Sequence, residues 1–250
     1  MKNNHIKILL IAGAVLLLPL SVQAGQKVTY VSNGSDYEGY SARAKGPARG
    51  TILVIHDWDG LNSYEEERSE MLAKMGYNAF AVDLYGKGNR PVETGAKKAE
   101  TGKLYKDRAK MRRLILAGLS EARKSFKGKA VIMGYCFGGA AVLELARYGK
   151  ATNVAGYATF HGGLKTPKGQ SYPKSTAPIL IAHGGADKAV PMDQVAQLSK
   201  ELEAVGIDYE MHVYSGAPHA FTLIGSPRYQ KVADTQSWTS FSDFLKTKLE

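Results

Sequence analysis

Six short stretches of the chain are almost continuously apolar and rich in β-branched residues. This pattern is typical of strands that are buried on both faces of a sheet. The predicted strands cover residues 51–55, 79–82, 130–133, 154–160, 179–182 and 209–214. Upstream, residues 27–31 and 40–44 alternate weakly around Asn33 and Gly34, a pair that favours a tight hairpin turn. The sheet is therefore expected to begin with an antiparallel hairpin.

Between these strands, apolar residues recur at three- and four-residue spacing, which predicts amphipathic helices. The predicted helices cover residues 64–75, 104–124, 137–148, 192–205 and 232–248. Gly76 and Gly206 stand where two of them are expected to end. The alternation of strands and helices predicts an α/β fold, with a mostly parallel twisted sheet and helices on both faces. In such a fold the ligand crevice lies beyond the carboxyl ends of the strands.

The first 24 residues have the pattern of a secretory signal peptide. Lys2 and Lys7 are basic, residues 8–18 are apolar, and Val-Gln-Ala at 22–24 is a small-residue cleavage site. The apolar run is shorter than the roughly 20 residues that span a bilayer, so we expect no stable membrane anchor after cleavage. The sequence thus predicts a periplasmic or secreted protein. Residues 25–250 are expected to form a single domain and to act as a monomer.

Basic residues outnumber acidic ones along the chain. There are 33 Lys and Arg against 23 Asp and Glu, which gives a formal net charge of +10 at pH 7. The surplus lies mostly in residues 87–129, at a spacing typical of a solvated helix face. Attraction to anionic surfaces or acidic substrates is the alternative. Because no aromatic residues are interleaved with the basic ones, we expect no nucleic-acid partner.

The chain has one cysteine, Cys136, in the sequence GYCFGG at 134–139. It lies between a predicted strand and a predicted helix, as in a nucleophile elbow, with a thiol in place of the commoner serine. Glycines suit so sharp a turn because neighbouring Cβ atoms would clash. The N–H of Phe137 would then face a developing oxyanion. A lone cysteine is commonly a small buried hydrophobe, but the elbow pattern and the oxidising compartment favour a reactive thiol.

A thiol nucleophile needs a base, and the base needs a third group to orient it. Asp187 follows the strand at 179–182, and His219 follows the strand at 209–214, which gives the order of nucleophile, acid and histidine found in α/β-hydrolases. Asp193 is a second candidate for the acid, although its position suits the first turn of a helix. His161 is interpreted as structural, and His183 as a brace for the loop that carries Asp187.

The sequence HDWDG at 56–60 follows the strand at 51–55 and emerges at the same edge. Its acidic and histidine side chains could suggest a metal site, but adjacent loop residues rarely converge on one ion. An oxyanion loop is the better interpretation, with Trp58 giving the second N–H and Asp57 standing near the thiol. The chemistry calls for no metal or organic cofactor.

From about Gly50 to the C-terminus, the chain resembles the dienelactone hydrolases, or carboxymethylenebutenolidases. The resemblance is carried by GYCFGG at 134–139, DLYG at 83–86, GGAD at 184–187 and GAPHAF at 216–221. It implies an α/β-hydrolase fold and a carboxylic ester hydrolase activity. Its implied site is a triad of Cys136, Asp187 and His219 with oxyanion N–H groups from Trp58 and Phe137.

The chain departs from this family at the expected substrate site. Well-studied members have a glutamate at the position of Asp57, where it holds and activates the thiol. They also clamp a substrate carboxylate with two arginines, at positions where this chain has Lys87 and Leu223. Since lysine lacks the bidentate fork and leucine has no charge, we expect small, less acidic esters or lactones as substrates. The residues expected to line the pocket are Tyr85, Lys87, Trp58 and Phe221.

The predicted reaction passes through a thioester on Cys136, which water activated by His219 then hydrolyses. A peptidase or an acyltransferase would share this acyl-enzyme chemistry. Two alternatives from other classes stay open. One is a noncatalytic ligand-binding protein on the same scaffold. The other is a thiol redox-responsive protein, which would depend on oxidation of Cys136 and not on the triad.

Overall fold

The computed structural model describes residues 25–250. The predicted signal peptide, residues 1–24, lies outside the described residues. The strands are β1 (Gln26–Ser32), β2 (Ser35–Ala42), β3 (Thr51–Ile55), β4 (Asn78–Val82), β5 (Ala130–Tyr135), β6 (Val154–Phe160), β7 (Ile179–Gly184) and β8 (Tyr209–Tyr214). The helices are α1 (Ser63–Lys74), α2 (Thr94–Lys106), α3 (Arg108–Ser125), α4 (Phe137–Tyr148), α5 (Met192–Val205) and α6 (Lys231–Leu249). None of the helices between residues 25 and 250 is long and apolar enough to cross a membrane.

The strands form one 8-stranded sheet in the order β1-β2-β4-β3-β5-β6-β7-β8. β1 pairs antiparallel with β2, and β2 pairs antiparallel with β4. Every pairing from β4 through β3 to β8 is parallel. The predicted α/β class is therefore confirmed, with an antiparallel start and a mostly parallel sheet. The carboxyl ends of the parallel strands lie at one edge, where loops after β3, β5, β7 and β8 meet.

Successive side chains of β3 enter opposite hydrophobic layers. Leu53 and Ile55 pack on the side that is covered by α2, α3, α4 and α5. Ile52 and Val54 pack on the other side, which is covered by α1 and α6. Since side chains alternate between the faces of a strand, only a strand apolar at every position can bury both faces. This requirement explains the continuous apolar runs in the sequence.

The predicted helix over residues 104–124 is wrong, because the chain forms two helices there. α2 ends at Lys106, and Asp107 has a non-helical backbone with φ of −116° and ψ of 75°. The Asp107 side chain accepts the Lys110 N–H at 2.8 Å and so caps α3. Most of α2 was missed because only Thr101 and Leu104 are buried on it. Because so few positions of α2 are buried, its sequence shows almost no helical repeat of apolar residues.

The second strand of the hairpin also differs from the prediction over residues 40–44. β2 begins at Ser35, directly after the turn at Asn33 and Gly34, and it ends at Ala42. Residues 35–41 of β2 pair with β1, with Ser32 opposite Ser35 at the turn. The first half of β2 is polar because it lies at the outer part of the sheet, so its sequence carries little strand signal.

Candidate active site

Cys136 occupies the tight turn between β5 and α4. Its backbone is in the left-handed region, with φ of 50° and ψ of −111°, and its N–H donates to the carbonyl of Phe160 at 3.0 Å. A non-glycine residue in this region is strained and must be held by its surroundings. A Cβ at Gly138 would lie 2.3 Å from the carbonyl oxygen of Ile55, and one at Gly134 would lie 2.5 Å from the Gly138 backbone. The glycines therefore let β3, β5 and α4 approach closely enough to form the elbow.

The structure brings the three predicted triad residues together. Nε2 of His219 lies 3.1 Å from Sγ of Cys136, and Nδ1 of His219 lies 2.8 Å from Oδ2 of Asp187. When Nδ1 carries the proton and donates it to Asp187, the lone pair of Nε2 faces the thiol. This arrangement can accept the proton of the Cys136 thiol. Asp193 lies on the first turn of α5 and makes no hydrogen bond to His219 within residues 25–250.

The Asp187 carboxylate is fixed by its own loop. Its Oδ1 accepts the backbone N–H groups of Ala189 at 2.8 Å and Val190 at 2.9 Å. Burial by itself raises the pKa of Asp187, but the hydrogen bonds from His219 and Val190 outweigh it and hold this pKa below its ordinary value. His183 donates from Nε2 to the carbonyl of Val190 at 2.9 Å and so braces the loop. The carboxylate is therefore ionised and aimed at the imidazole.

The thiol of Cys136 is protonated at neutral pH. Burial, followed by the field of Asp57, raises the pKa of Cys136 to about 12. The N–H of Phe137 and the charge of Arg228 oppose this rise without cancelling it. The sequence pattern gave no sign of Arg228, which follows His219 by nine residues on the loop after β8. A resting thiol of this kind becomes nucleophilic only when a neighbouring base removes its proton.

The predicted oxyanion donors are the backbone N–H groups of Phe137 and Trp58. Phe137 begins α4, where helical N–H groups have no partner in their own helix, and its N–H faces Sγ of Cys136. In the loop after β3, the N–H of Asp57 donates to Glu65 at 3.3 Å and the N–H of Asp59 donates to Asp57 at 3.0 Å. Among residues 25–250, the intervening N–H of Trp58 donates no hydrogen bond. Within the described residues, the N–H of Phe137 thus lies at the thiol and that of Trp58 has no acceptor.

Asp57 acts on the thiol through its field and not through a hydrogen bond. Its Oδ1 accepts the Asp59 N–H, and within the described part of the chain it makes no hydrogen bond to Cys136. Burial, followed by Asp59, raises the pKa of Asp57 to about 9. Burial likewise raises the pKa of the adjoining Glu65 to about 8, despite hydrogen bonds that lower it. The two carboxyl groups are therefore mostly neutral at pH 7.

Tyr85 lies between the loop after β3 and the start of α4. Its hydroxyl donates to the carbonyl of Trp58 at 3.1 Å, and its ring centroid lies 4.6 Å from that of His56 and 6.1 Å from that of Phe137. The half-buried Tyr85 side chain therefore connects the loop after β3 with Phe137 at the start of α4.

Phe221 and Lys87 do not lie as predicted. Phe221 is fully buried, with its ring 5.4 Å from His161 and 5.5 Å from Tyr214, so it belongs to the core and not to the pocket wall. Lys87 extends from the surface toward β1, where Nζ donates to Oγ1 of Thr29 at 3.2 Å. Their sequence positions placed them near the right loops but did not fix the direction of their side chains.

Sequence reasoning missed three side chains around the site. Nζ of Lys97 lies 5.4 Å from the ring centroid of Trp58 and 3.3 Å from Oδ2 of Asp59, so α2 covers the oxyanion loop. The Tyr105 ring packs edge-on against Phe137 at 5.4 Å. Both residues lie on the helix that the apolar period failed to reveal. The position of Glu65 could have been predicted from the sequence, because Asn62 and Glu65 have the spacing of a helix capping box and form the one that begins α1.

A buried cluster of polar side chains packs against the ring of His219. The ring of His161 lies edge-on to His219 at 5.3 Å, and its Nε2 lies 2.8 Å from Oγ1 of Thr222. The same Oγ1 lies 2.7 Å from the hydroxyl of Tyr64, and Arg68 donates to the carbonyl of Thr222 at 2.9 Å. Burial, followed by the charge of His219, holds the pKa of His161 well below its ordinary value. His161 is therefore a neutral structural support, as its sequence position indicated.

No group of three or more His, Cys, Asp or Glu side chains between residues 25 and 250 is arranged to hold a metal ion. The acidic cluster at Asp57 and Asp59 is instead occupied by loop N–H groups and by Lys97. The groups available at this edge of the sheet are thus a thiol, an imidazole and a carboxylate that are joined by hydrogen bonds.

Comparison with known proteins places this arrangement in a family. The model of the dienelactone hydrolase family matches residues 37–249. The chain is 30% identical over 240 residues to a protein of Aquifex aeolicus (strain VF5) named "Putative carboxymethylenebutenolidase", with 90% of this chain and 100% of that protein covered. It is 30% identical over 205 residues to the protein usf of Aquifex pyrophilus, with 79% and 87% covered.

Solved structures give the same result. A dienelactone hydrolase-like promiscuous phosphotriesterase from metagenomic libraries superposes with a TM-score of 0.82 at 27% identity, covering 90% of this chain and 98% of that one. A dienelactone hydrolase from Klebsiella pneumoniae, also named as putative, superposes with a TM-score of 0.76 at 23% identity, covering 89% and 98%. The second likeness is at the level of the fold.

Proposed function

The chain belongs to the dienelactone hydrolase family of α/β-hydrolases, and we propose that it cleaves small esters or lactones with Cys136 as its nucleophile. One observation carries the proposal. Sγ of Cys136, the two ring nitrogens of His219 and Oδ2 of Asp187 form a continuous hydrogen-bonded line, with distances of 3.1 Å and 2.8 Å. Because the pKa of this buried thiol is raised, Cys136 becomes a nucleophile only when a base takes its proton, and His219 stands in position to do so.

In the first half of the proposed reaction, Sγ of Cys136 bonds to the carbonyl carbon of the substrate. The thiol proton passes to Nε2 of His219 as the carbonyl π electrons move onto oxygen, which the N–H groups of Trp58 and Phe137 then bind. When the tetrahedral intermediate collapses, the C–O bond to the leaving group breaks. The leaving oxygen takes the proton from His219, and the acyl group stays on Cys136 as a thioester.

In the second half, a water molecule attacks the thioester carbon while His219 takes one of its protons. The second tetrahedral intermediate uses the same two N–H donors. When it collapses, the C–S bond breaks, the acid leaves, and Cys136 regains its proton from His219. A lactone follows the same steps, except that its alcohol and acid stay joined in one hydroxy-acid product.

Asp187 stabilises the charged imidazole in both halves without taking its proton. Its pKa lies below the ordinary value, so the carboxylate is ionised when His219 becomes cationic. It also fixes the tautomer, because Nδ1–H donates to Oδ2 and only Nε2 is left to face Cys136. The chain order and the loop positions of the three residues support this assignment.

The test is hydrolysis of p-nitrophenyl acetate by residues 25–250 and by the Cys136→Ala variant. We expect turnover in the first and none above background in the second, with unchanged circular dichroism. Alkylation of the wild type at pH 9 should also abolish turnover, since the chain has one cysteine. Full activity in folded Cys136→Ala would refute the nucleophile assignment. A folded wild type that turns over no ester or lactone in a panel would favour the noncatalytic alternative.

We also propose that the protein is exported and acts in the periplasm or outside the cell. The proposal depends on the basic start, the apolar run and the small-residue site within residues 1–24. Cell fractionation followed by N-terminal sequencing tests it. A chain that starts at Gly25 in the periplasmic or external fraction is expected, and a cytoplasmic chain that starts at Met1 would contradict the proposal.

A further inference from the structure

A cleft of about 400 Å³ opens beside the first turn of α4. Its volume lies in the range of small-molecule sites, about 300–1,000 Å³. Its walls come from the end of α2, the start of α3, α4, and the loop after β6. The residues that line it are Tyr105, Arg108, Ala140, Arg147, Gly163, Lys165 and Pro167.

The cleft begins within one helical turn of the nucleophile. The Ala140 N–H donates to the carbonyl of Cys136 at 3.2 Å, so one wall of the cleft is the first turn of the helix that begins after the thiol. Tyr105 packs against Phe137, the oxyanion residue next to Cys136, with ring centroids 5.4 Å apart. A substrate whose carbonyl lies at Cys136 can therefore extend a short substituent into the cleft.

The walls carry an excess of positive charge. Nη1 of Arg108 and Nη1 of Arg112 lie 2.8 Å and 2.7 Å from the two carboxylate oxygens of Glu144, and Nη2 of Arg147 lies 3.4 Å from one of them. The single carboxylate of Glu144, which is fully buried, thus forms ion pairs with three guanidinium groups. Lys165 adds a fourth cation, which forms no ion pair with any carboxylate within residues 25–250. The positive charge in and behind the cleft is therefore compensated only in part, by Glu144 and by Glu201, which accepts the hydroxyl of Thr166 beside Lys165.

Several donors at the mouth of the cleft remain available. The Arg108 side chain is 28% exposed and donates one hydrogen bond to Glu144. A guanidinium has five N–H donors, so others are left for a ligand. Tyr105 is 39% exposed, and its hydroxyl takes part in no hydrogen bond in the described part of the chain. Lys165 is also exposed. Cationic donors on a small cleft favour a carboxylate or a phosphate.

We propose that this cleft is an anion subsite, in which Arg108 and Lys165 bind a carboxylate or phosphate substituent of the substrate while the scissile carbonyl lies at Cys136. The proposal rests on the proposed hydrolase function and names a substrate class for it. It replaces the sequence expectation of less acidic substrates, which depended on Lys87 and Leu223. Charge recognition is assigned here to other elements, the α2–α3 junction and the loop after β6.

Two esters of equal acyl length test the subsite, the 4-nitrophenyl esters of butyric acid and of succinic acid, which differ by one terminal carboxylate. Lys165→Met should raise the KM for the succinyl ester by roughly tenfold, the effect of losing one charge-assisted hydrogen bond, and change the KM for the butyryl ester much less. Lys168→Met is the matched control, because Lys168 is an exposed lysine of the same loop that does not line the cleft. It should change neither KM.

Binding measurements without turnover keep the two proposals separate. Succinate and propyl phosphate are titrated calorimetrically into the wild type and into Lys165→Met, and the anion that binds with Lys165-dependent affinity identifies the preferred group. Equal KM values in Lys165→Met and wild type, or binding of neither anion, would overturn the subsite while ester hydrolysis still stands. Lys165-dependent anion binding by a protein that hydrolyses neither ester would support the subsite and refute the hydrolase.

Discussion

Oε1 of Glu65 accepts the backbone N–H of Asp57 at 3.3 Å, and this contact joins the first turn of α1 to the oxyanion loop. The other carboxyl oxygen, Oε2, accepts the N–H of Asn62 at 3.1 Å as part of the capping box. Glu65 therefore holds both ends of the loop that presents Trp58. Because Glu65 is fully buried and Asp57 nearly so, the two carboxyl groups also respond to each other's charge.

Folding stability should fall as pH rises, because both carboxyl groups hold their protons longer in the folded state. The pKa of Asp57 is raised from 3.8 to about 9 and that of Glu65 from 4.5 to about 8. Between the unfolded and folded values the native state binds more protons, so each group lowers the free energy of unfolding by up to about 1.4 kcal/mol per pH unit. Glu65→Gln keeps a capping-box side chain but cannot ionise.

Urea unfolding at pH 5, 7 and 9 measures this effect. We expect the wild type to lose stability toward pH 9 and Glu65→Gln to lose distinctly less. Glu67→Gln, on the same helix but exposed, should follow the wild-type curve and serves as the control. Parallel curves for the wild type and Glu65→Gln would show that Glu65 is ionised in the folded protein.

Alkylation of Cys136 by iodoacetamide should accelerate with pH far beyond the range of an ordinary thiol. The rate follows the thiolate fraction, and burial together with Asp57 raises the pKa of Cys136 to about 12. We therefore expect about a tenfold increase per pH unit from pH 8 to pH 11, read from mass spectra of the single labelled cysteine. A plateau below pH 10 would contradict the raised pKa.

Removal of the Asp57 charge should lower the pKa of the thiol. At pH 10 the Asp57 carboxyl is mostly ionised, so Asp57→Asn is expected to speed the alkylation of Cys136. Asp243→Asn removes a carboxylate at the exposed end of α6, where its partner is Lys246, and should leave the rate unchanged. Equal acceleration in both variants would point to net charge and not to the local field of Asp57.

Asp187→Asn should lower kcat for ester hydrolysis by about three to four orders of magnitude, as loss of the orienting carboxylate does in related triads. The amide cannot stabilise the imidazolium, and it no longer fixes the proton on Nδ1 of His219. The control is Asp193→Asn, which changes the rival acid on the first turn of α5 and is expected to retain wild-type kcat. A larger loss in Asp193→Asn than in Asp187→Asn would reverse the assignment of the acid.

Much of this architecture could be predicted because it leaves local marks on the sequence. A strand buried on both faces must be apolar at every position, so β3, β5 and β7 were visible as continuous runs. The elbow was visible because its turn excludes side chains at Gly134 and Gly138, where a Cβ would lie within 2.5 Å of backbone atoms. Loop order then placed Asp187 and His219 at the same edge of the sheet.

The sequence was less informative where the determining contacts are distant along the chain. α2 buries only Thr101 and Leu104, so its period is too weak to mark it, although it brings Lys97 and Tyr105 to the site. Phe221 follows His219 by two positions and was expected beside it in the pocket. It lies instead in the core, against Tyr214.

The sequence by itself determined the fold class, the elbow at Cys136 and the order of nucleophile, acid and histidine, since each follows from local backbone geometry or from the rule that parallel strands end at one edge. Only the tertiary structure decided the protonation of Cys136 and the excess of positive charge around Glu144. Burial and the fields of distant charges set these properties, and both depend on residues that come together only when the chain folds.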